Sequence, residues 1–182
     1  MGKKPVLVIL DRDGVINYDS DDYIRTPAQW EPIKGSLEAI RQLLHSSIQV
    51  AVATNQSGIG RGYFSFATVH AMHQKMLDML DQDAMAIGYI AICPHHPEQS
   101  CQCRKPNIGM LNEIAEKLMV SLDQQVHFVG DTYKDIQAAR TAGCVPVLVK
   151  TGKGLRTLDA HPELLNEVMV FDCLLDYVES LS

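Results

Sequence analysis

The sequence predicts an α/β fold, a doubly wound and mostly parallel sheet, and three observations carry the prediction. Short β-branched runs alternate with longer amphipathic stretches, the pattern of repeated βαβ units. With 46% hydrophobic residues among 182, the chain can bury a substantial core as one domain over residues 1–182, and no repeat, linker or low-complexity tract divides it. Four residues suited to chemistry, Asp11, Thr54, Cys93 and Asp131, each fall within one or two positions of the carboxyl end of an expected strand, where ligands lie in such sheets.

Val6 to Leu10 is the first expected strand. Ser36 to Leu44 sets Leu37, Ile40, Leu43 and Leu44 on one helical face and leads into a strand from Val50 to Ala53. Ser65 reads as the cap of a helix reaching Leu80, whose Val69, Met72, Met76, Leu77 and Leu80 form a Met-rich stripe suited to core packing. Ile87 to Cys93 is a third strand, followed by a Cys/His/Pro-rich loop and a helix from Gly109 to Met119. Val126 to Val129 makes the fourth strand, Tyr133 to Ala142 a helix stopped by Gly143, and Val145 to Val149 the fifth. A weaker strand, Val168 to Phe171, and a helix, Cys173 to Leu181, complete the series.

A formal net charge of −6 and a pI near 5.6 give no basic footprint, which argues against nucleic acid or an anionic membrane as partner. Before Asp11 the apolar run is far too short for a secretory core or a membrane span, and Gly2 lacks the Ser or Thr of a myristoylation signal, so the expectation is cytoplasmic. Five cysteines, three of them between Cys93 and Cys103, point to a metal site in a reducing compartment rather than a disulfide framework.

Asp11-Arg12-Asp13-Gly14 directly follows an apolar strand, which sets two carboxylates on its crest with a glycine that permits a sharp turn. One carboxylate can attack phosphorus; the other can protonate a leaving oxygen and then deprotonate water. Thr54 and Asn55 follow the second strand and offer a hydroxyl and N–H groups to a phosphoryl oxygen, although the same pair serves equally as a turn cap. Gln56 to Gly62 supplies three glycines and Arg61 in the manner of an anion-cradling loop, without the lysine pattern of a nucleotide P-loop. Lys105 lies ahead of an expected helix, from where its charge can meet phosphoryl oxygens. Asp131, with Asp135 one helical turn further, adds carboxylates of the kind Mg²⁺ prefers.

In this order, Asp11-x-Asp13-Gly14, Thr54, Lys105 and Gly130-Asp131-x-x-x-Asp135 resemble the haloacid-dehalogenase-like phosphatase superfamily over nearly the whole chain. The fuller strings from Leu10 to Asn17, Thr54 to Gly62, Cys93 to Pro97 and Cys101 to Pro106 resemble the branch acting on heptose bisphosphates; histidinol-phosphate phosphatases share much of the pattern and are the rival substrate class. The resemblance implies a Rossmannoid, capless phosphatase with Asp11 as nucleophile, Asp13 as acid and base, and Thr54 and Lys105 as phosphoryl clamps. It implies Mg²⁺ on Asp11, the Asp13 backbone carbonyl and Asp131, with Asp135 orienting a neighbour. It further implies structural Zn²⁺ on Cys93, His95, Cys101 and Cys103, with His96 as competing ligand, a closed tetrahedral set.

The resemblance implies substrate contacts from Asp19, Ser20, Asp21, Asp22, Asn55, Gln56, Ser57 and Arg104. Thr132 departs from the lysine common after Asp131, and Lys134 is placed to compensate. Cys144 and Cys173 stand in apolar surroundings and read as core. The expected partner is a small phosphorylated metabolite, and the resemblance implies a monomer. A receiver-like phospho-acceptor domain, in which the acceptor Asp ends a middle strand, is the rival from another class; here the middle strand is expected to end at Cys93 and enter the Cys/His loop instead.

Overall fold

The computed structural model describes residues 4–181; Gly2, and the reading of the N-terminus that rests on it, lie outside the described residues. Six strands form one wholly parallel sheet: β1 (Leu7–Leu10), β2 (Gln49–Asn55), β3 (Ile87–Cys93), β4 (Val126–Gly130), β5 (Val145–Val149) and β6 (Met169–Phe171), in the order β3-β2-β1-β4-β5-β6. In β1, Leu7 and Ile9 face one side while Val8 and Leu10 face the other, and all four are fully buried. Such a strand has to be apolar throughout, because helices cover both of its faces.

The helices are α1 (Ser36–His45), α2 (Ser57–Gly60), α3 (Phe66–Leu80), α4 (Gly109–Leu118), α5 (Tyr133–Thr141), α6 (Gly154–Ala160), α7 (Leu164–Glu167) and α8 (Leu174–Glu179). One core holds Val8 and Leu10 against Leu37, Ile40 and Leu43 of α1, Met72 and Met76 of α3, and Leu174, Tyr177 and Val178 of α8. The other joins Leu7, Ile9 and Phe128 to Met110, Leu111 and Ile114 of α4 and Ala138 and Ala139 of α5. Ser65 caps α3 as expected, its hydroxyl accepting from the Thr68 N–H at 3.2 Å.

The strand order corrects one expectation. The third strand is central only in sequence; in space β3 is an edge and β1 takes the centre. The strand order reverses between β1 and β4, so the crevice beyond their carboxyl ends is the place for a ligand. Asp11 and Asp131 are the first residues past those two ends. The long segment between β1 and α1 holds only a 3-10 turn, Pro27–Gln29, and no inserted lid domain, among the described residues.

Candidate active site

Asp11 continues the ladder of β1 by donating its N–H to the Val129 carbonyl at 2.9 Å, after which the chain turns sharply. Gly14 sits at φ +87°, and a Cβ there would fall 2.1 Å from Asp131 Oδ2, so only glycine lets the Asp11 loop approach Asp131. Gly152 meets the same carboxylate from the loop after β5, where a Cβ would lie 2.2 Å from Oδ2. The Thr151 hydroxyl donates to the Gly14 carbonyl at 2.6 Å and ties the two loops together.

Oxygens of Asp11, Asp131 and Asp135 all lie within 4.8 Å of one another. Lys105, with its side chain 2% exposed, reaches in from the loop before α4: Nζ is 2.9 Å from Asp11 Oδ1, 2.8 Å from Asp135 Oδ1 and 2.8 Å from the Ala53 carbonyl. Burial pushes the Asp11 carboxyl up to about 7 against the pull of Lys105, with the Asp135 charge adding to the rise. Burial and the charges of Asp11 and Asp135 push Asp131 up to about 8. Burial alone would push the Lys105 ammonium down; Asp11 and Asp135 more than offset this and hold it above its ordinary value.

This chemistry fits a divalent cation of the Mg²⁺ kind. The donors are carboxylate oxygens, and their raised affinity for protons is a raised affinity for positive charge. Asp11 Oδ1 is occupied by Lys105 and by the Arg12 N–H at 2.7 Å, and Asp131 Oδ2 by the Lys153 N–H at 2.7 Å. Asp11 Oδ2 and Asp131 Oδ1 accept nothing from the described residues and are the oxygens available to it. Asp135 has none to spare: Oδ2 accepts from the Thr132 N–H at 3.0 Å and hydroxyl at 2.6 Å in a capping box, and Oδ1 has the Lys105 ammonium without a well-aligned hydrogen bond. It faces Lys105 and caps α5.

Asp13 is held differently. Arg12, fully buried, donates to Asp13 Oδ1 from Nε at 3.1 Å and from Nη2 at 2.9 Å, and to Oδ2 from Nη2 at 2.9 Å. The amides of Asn17 and Gln56 each donate at 2.8 Å. Burial opposes the charge, but Arg12, Asn17 and Gln56 outweigh it and hold the carboxyl below its ordinary value. Behind Arg12, Nη1 lies 3.3 Å from Nε2 of the buried His73 on α3. Burial and the Arg12 charge push the His73 imidazole down to about 3. Its folded pKa is below the unfolded 6.5, so its stabilisation is complete above pH 6.5 and is lost as pH falls towards 3, at roughly 1.4 kcal/mol per pH unit. Denaturant unfolding of His73→Gln between pH 6.5 and 4.5 should show a stability loss shallower than wild type by about that slope.

A cavity of ≈ 270 Å³ over these groups is lined by Asp11, Asp13, Asp131 and Lys105, and by seven of the eight residues expected to touch substrate: Asp19, Ser20, Asp21, Asn55, Gln56, Ser57 and Arg104. Asp22 is exposed and off the wall; its N–H caps Ser20 Oγ and its carbonyl accepts from Arg25. Thr54 is also absent from the wall: β2 runs two residues further than expected, and buried Thr54 accepts from Gln56 Nε2 at 2.8 Å, so Gln56 bridges it to Asp13. Asn55 clasps the Lys105 backbone, accepting from its N–H at 3.1 Å and donating to its carbonyl at 3.3 Å.

Lys134 and Thr132 line the cavity as well. Lys153, unforeseen, does too; its ammonium meets Asp19 at 2.9 Å and Asp21 at 3.7 Å, and Arg156 meets Asp21 at 3.1 Å. The signal for Lys153 was its place just past a strand's carboxyl end. Of residues 56–62, Gln56 and Ser57 line the cavity. Residues 57–60 coil into α2, Arg61 is exposed, Gly60 leaves room for the backbone of 94–96 and Gly58 for the Phe64 ring.

The second cluster brings together Cys93, His95, Cys101 and Cys103. Cys93 Sγ is 3.8 Å from Cys101 Sγ and 3.7 Å from His95 Nδ1; Cys103 Sγ is 3.6 Å from Cys101 Sγ and 3.1 Å from His95 Nδ1. A tetrahedron with Zn–S bonds of about 2.3 Å has edges of about 3.8 Å, so the set fits zinc. Burial and the thiols of Cys93 and Cys101 push the Cys103 thiol up to about 12, and three thiolates this close need a cation among them. His96 lies outside the cluster and faces Glu98. Cys144 is buried as expected, whereas Cys173 is half-exposed and serves as the N-cap of α8 with Asp176.

Comparison with known proteins agrees with this geometry. Residues 102–176 match the HAD-hydrolase-like family model. The chain is 54% identical to D-glycero-beta-D-manno-heptose-1,7-bisphosphate 7-phosphatase of Pseudomonas putida, over 92% of this chain and 94% of that one. It is 38% identical to the Escherichia coli enzyme of the same name, over 84% and 83% of the two chains. Among solved structures, D,D-heptose 1,7-bisphosphate phosphatase from Bordetella bronchiseptica, complexed with magnesium and phosphate, superposes with a TM-score of 0.90 at 44% identity, covering 96% of this chain and 97% of that one. With a parallel sheet, an Asp-x-Asp crest and relatives of this identity and coverage, the chain belongs to the haloacid-dehalogenase-like hydrolases, in the family of D-glycero-D-manno-heptose-1,7-bisphosphate 7-phosphatases.

Proposed function

We propose that this phosphoric monoester hydrolase removes the 7-phosphate of D-glycero-β-D-manno-heptose 1,7-bisphosphate, a step towards heptose precursors of surface glycans, as a cytoplasmic monomer. The carrying observation is the meeting of Asp11, Asp131 and Lys105 in one polar cavity beside Asp13. The relatives' names supply the sugar and the anomer. No helix among the described residues is long and apolar enough to cross a membrane.

In this reading the Asp11 carboxylate attacks phosphorus, the bond from phosphorus to the sugar oxygen breaks, and that oxygen takes a proton from Asp13. Asp13 then takes a proton from water, which attacks the aspartyl-phosphate and frees phosphate and Asp11. The anion that Arg12 maintains on Asp13 suits this second half directly. The first half needs a proton on Asp13, which the dianionic phosphate favours by charge repulsion as it enters. Lys105 supplies positive charge to the phosphoryl oxygens, and Thr54 acts through Gln56. Mg²⁺ held by Asp11, Asp131 and the Asp13 carbonyl would neutralise the repulsion between carboxylate and phosphate. Asp19, Asp21 and Lys153 present paired charges to sugar hydroxyls, and Arg104 and Lys134 present cations to the second phosphate.

A phosphate-release assay with Mg²⁺ on the heptose bisphosphate, heptose 1-phosphate and histidinol phosphate tests the reading. The bisphosphate should turn over fastest and leave a product that keeps its anomeric phosphate; faster release from histidinol phosphate would overturn the substrate assignment.

Zinc in the Cys93, His95, Cys101 and Cys103 cluster would be structural, since all four ligands come from the chain and none is left for water. The cluster directly precedes Arg104 and Lys105, so it anchors both. Cys101→Ser should lose most of its zinc by elemental analysis and lower Tm by roughly 5–10 °C, with a much smaller effect on kcat. Unchanged zinc content would remove Cys101 from the ligand set.

A further inference from the structure

Arg12 stands between the two acids of the motif, yet it points away from the cavity wall and is absent from it. We propose that Arg12 is a positioning residue for Asp13, and that His73 on α3 holds Arg12 in place from behind. The proposal rests on the reading of Asp13 as acid and base.

The geometry is that of a clamp. The three Arg12 contacts on Asp13 form a fork across both carboxylate oxygens, a planar match that fixes the rotation of the carboxylate as well as its place. The guanidinium is itself fixed. Its Nη1 lies 3.3 Å from His73 Nε2 and 3.9 Å from Met72 Sδ, both on α3 and both buried. The imidazole must offer Nε2 as an acceptor to a cation, so it is neutral with its proton on Nδ1. The Arg12 carbonyl meanwhile accepts from the N–H groups of Ile16 at 2.8 Å and Asn17 at 3.1 Å, closing the turn that carries Asp13.

Five donor contacts fall on the two oxygens of Asp13, three on Oδ1 and two on Oδ2. A carboxylate offers about four lone-pair sites, so a leaving oxygen or a water finds none vacant until a contact opens. The costs decide which one yields. Releasing Arg12 would strand a buried cation whose remaining side-chain partners are neutral, the most expensive choice. Gln56 and Asn17 each keep a second acceptor at 2.8 Å when they let go, Thr54 Oγ1 and the Tyr18 carbonyl; of the two, Gln56 lines the cavity while Asn17 is fully buried behind it, so Gln56 is the one an incoming oxygen displaces. Arg12 therefore stays on Asp13 through the cycle while Gln56 gives way.

The test separates the two chemical steps. p-Nitrophenyl phosphate has a leaving group that needs no proton, so forming the aspartyl-phosphate from it does not depend on Asp13, whereas its hydrolysis does. For Arg12→Gln, stopped flow should show a nitrophenolate burst near the wild-type rate, followed by a steady state slower by on the order of 10²-fold. Phosphate release from the sugar bisphosphate should fall by a similar factor in kcat with KM little changed. Arg12→Lys should be intermediate, and His73→Leu should fall several-fold with the same burst-then-slow pattern. If the Arg12 variants do not fold, the two His73 variants, Leu and Gln, decide alone. Wild-type steady-state rates in folded variants would overturn the proposal, and so would burst and steady state falling together. Asp13→Asn reports on the underlying reading separately: full turnover there would remove Asp13 from the chemistry, whatever the Arg12 variants do.

Discussion

Asp11→Asn should abolish turnover, by on the order of 10⁴–10⁶-fold, while leaving the protein folded and its zinc content unchanged. The amide keeps the size of the carboxylate and can still accept from the Arg12 N–H, so the loop after β1 retains its shape. What it loses is the nucleophile and one of the charges crowded within 4.8 Å. Burial and the neighbouring Asp135 make that charge expensive, which is why the Asp11 carboxyl sits near 7. Removing it should therefore leave Tm unchanged or raise it by a few degrees, as is common where an active site stores repulsion. Calorimetry beside phosphate-release kinetics checks both halves. A variant with wild-type activity would remove Asp11 from the mechanism, and a variant with a collapsed Tm would make its role structural.

Lys105→Met should damage both activity and stability. The ammonium is buried and shared between Asp11, Asp135 and the Ala53 carbonyl. Truncation leaves the carboxylates of Asp11, Asp131 and Asp135 facing one another with no protein cation between them, a loss of roughly 3–5 kcal/mol. The sign with pH follows from the raised carboxyls. Without Lys105, which pulls it down, the Asp11 carboxyl rises further beside the raised Asp131, so acidification neutralises this pair and relieves the repulsion. The deficit relative to wild type should be largest near pH 8 and shrink by pH 6, read as ΔG from denaturant unfolding without added Mg²⁺. Activity should fall by on the order of 10²–10³-fold through the lost charge on the phosphoryl oxygens. A deficit that grew on acidification would contradict the assignment of Lys105 as the cation of this cluster.

The sheet was legible because its central strands β1 and β4 are buried on both faces and each is followed by an aspartate at its carboxyl end. β3 and β5 fall where the sequence places them, and Asp11 and Asp131 meet as the strand order requires. β2 ran longer than expected because Thr54 and Asn55 pair with Ile92 and Cys93 across the sheet, a long-range fact that propensity cannot carry. The same extension buried Thr54 under Gln56 instead of on the cavity wall. Helices α6 and α7 were missed because they are short and little buried; α6 is held by the Thr157 hydroxyl, which donates to the Asp131 carbonyl at 2.8 Å.

The metal-type clusters were readable from residue chemistry and spacing with the family resemblance. The partners of Asp13 were not. Arg12 looks like a spacer between two acids, and nothing local shows that its guanidinium turns back onto Asp13 with His73, sixty-one positions on, behind it. Lys153 was hidden for a similar reason, since its N–H reaches Asp131 from a different strand's loop. In each case the function of the residue is set by which loops the parallel crossovers bring side by side.

The most direct measurement is mass spectrometry of enzyme acid-quenched during turnover of the sugar bisphosphate with Mg²⁺. One phosphoryl group should appear on the peptide that carries Asp11, and it should disappear when substrate is exhausted. A phosphoryl group on another residue, or none in a quench fast enough to trap a single turnover, would contradict the account.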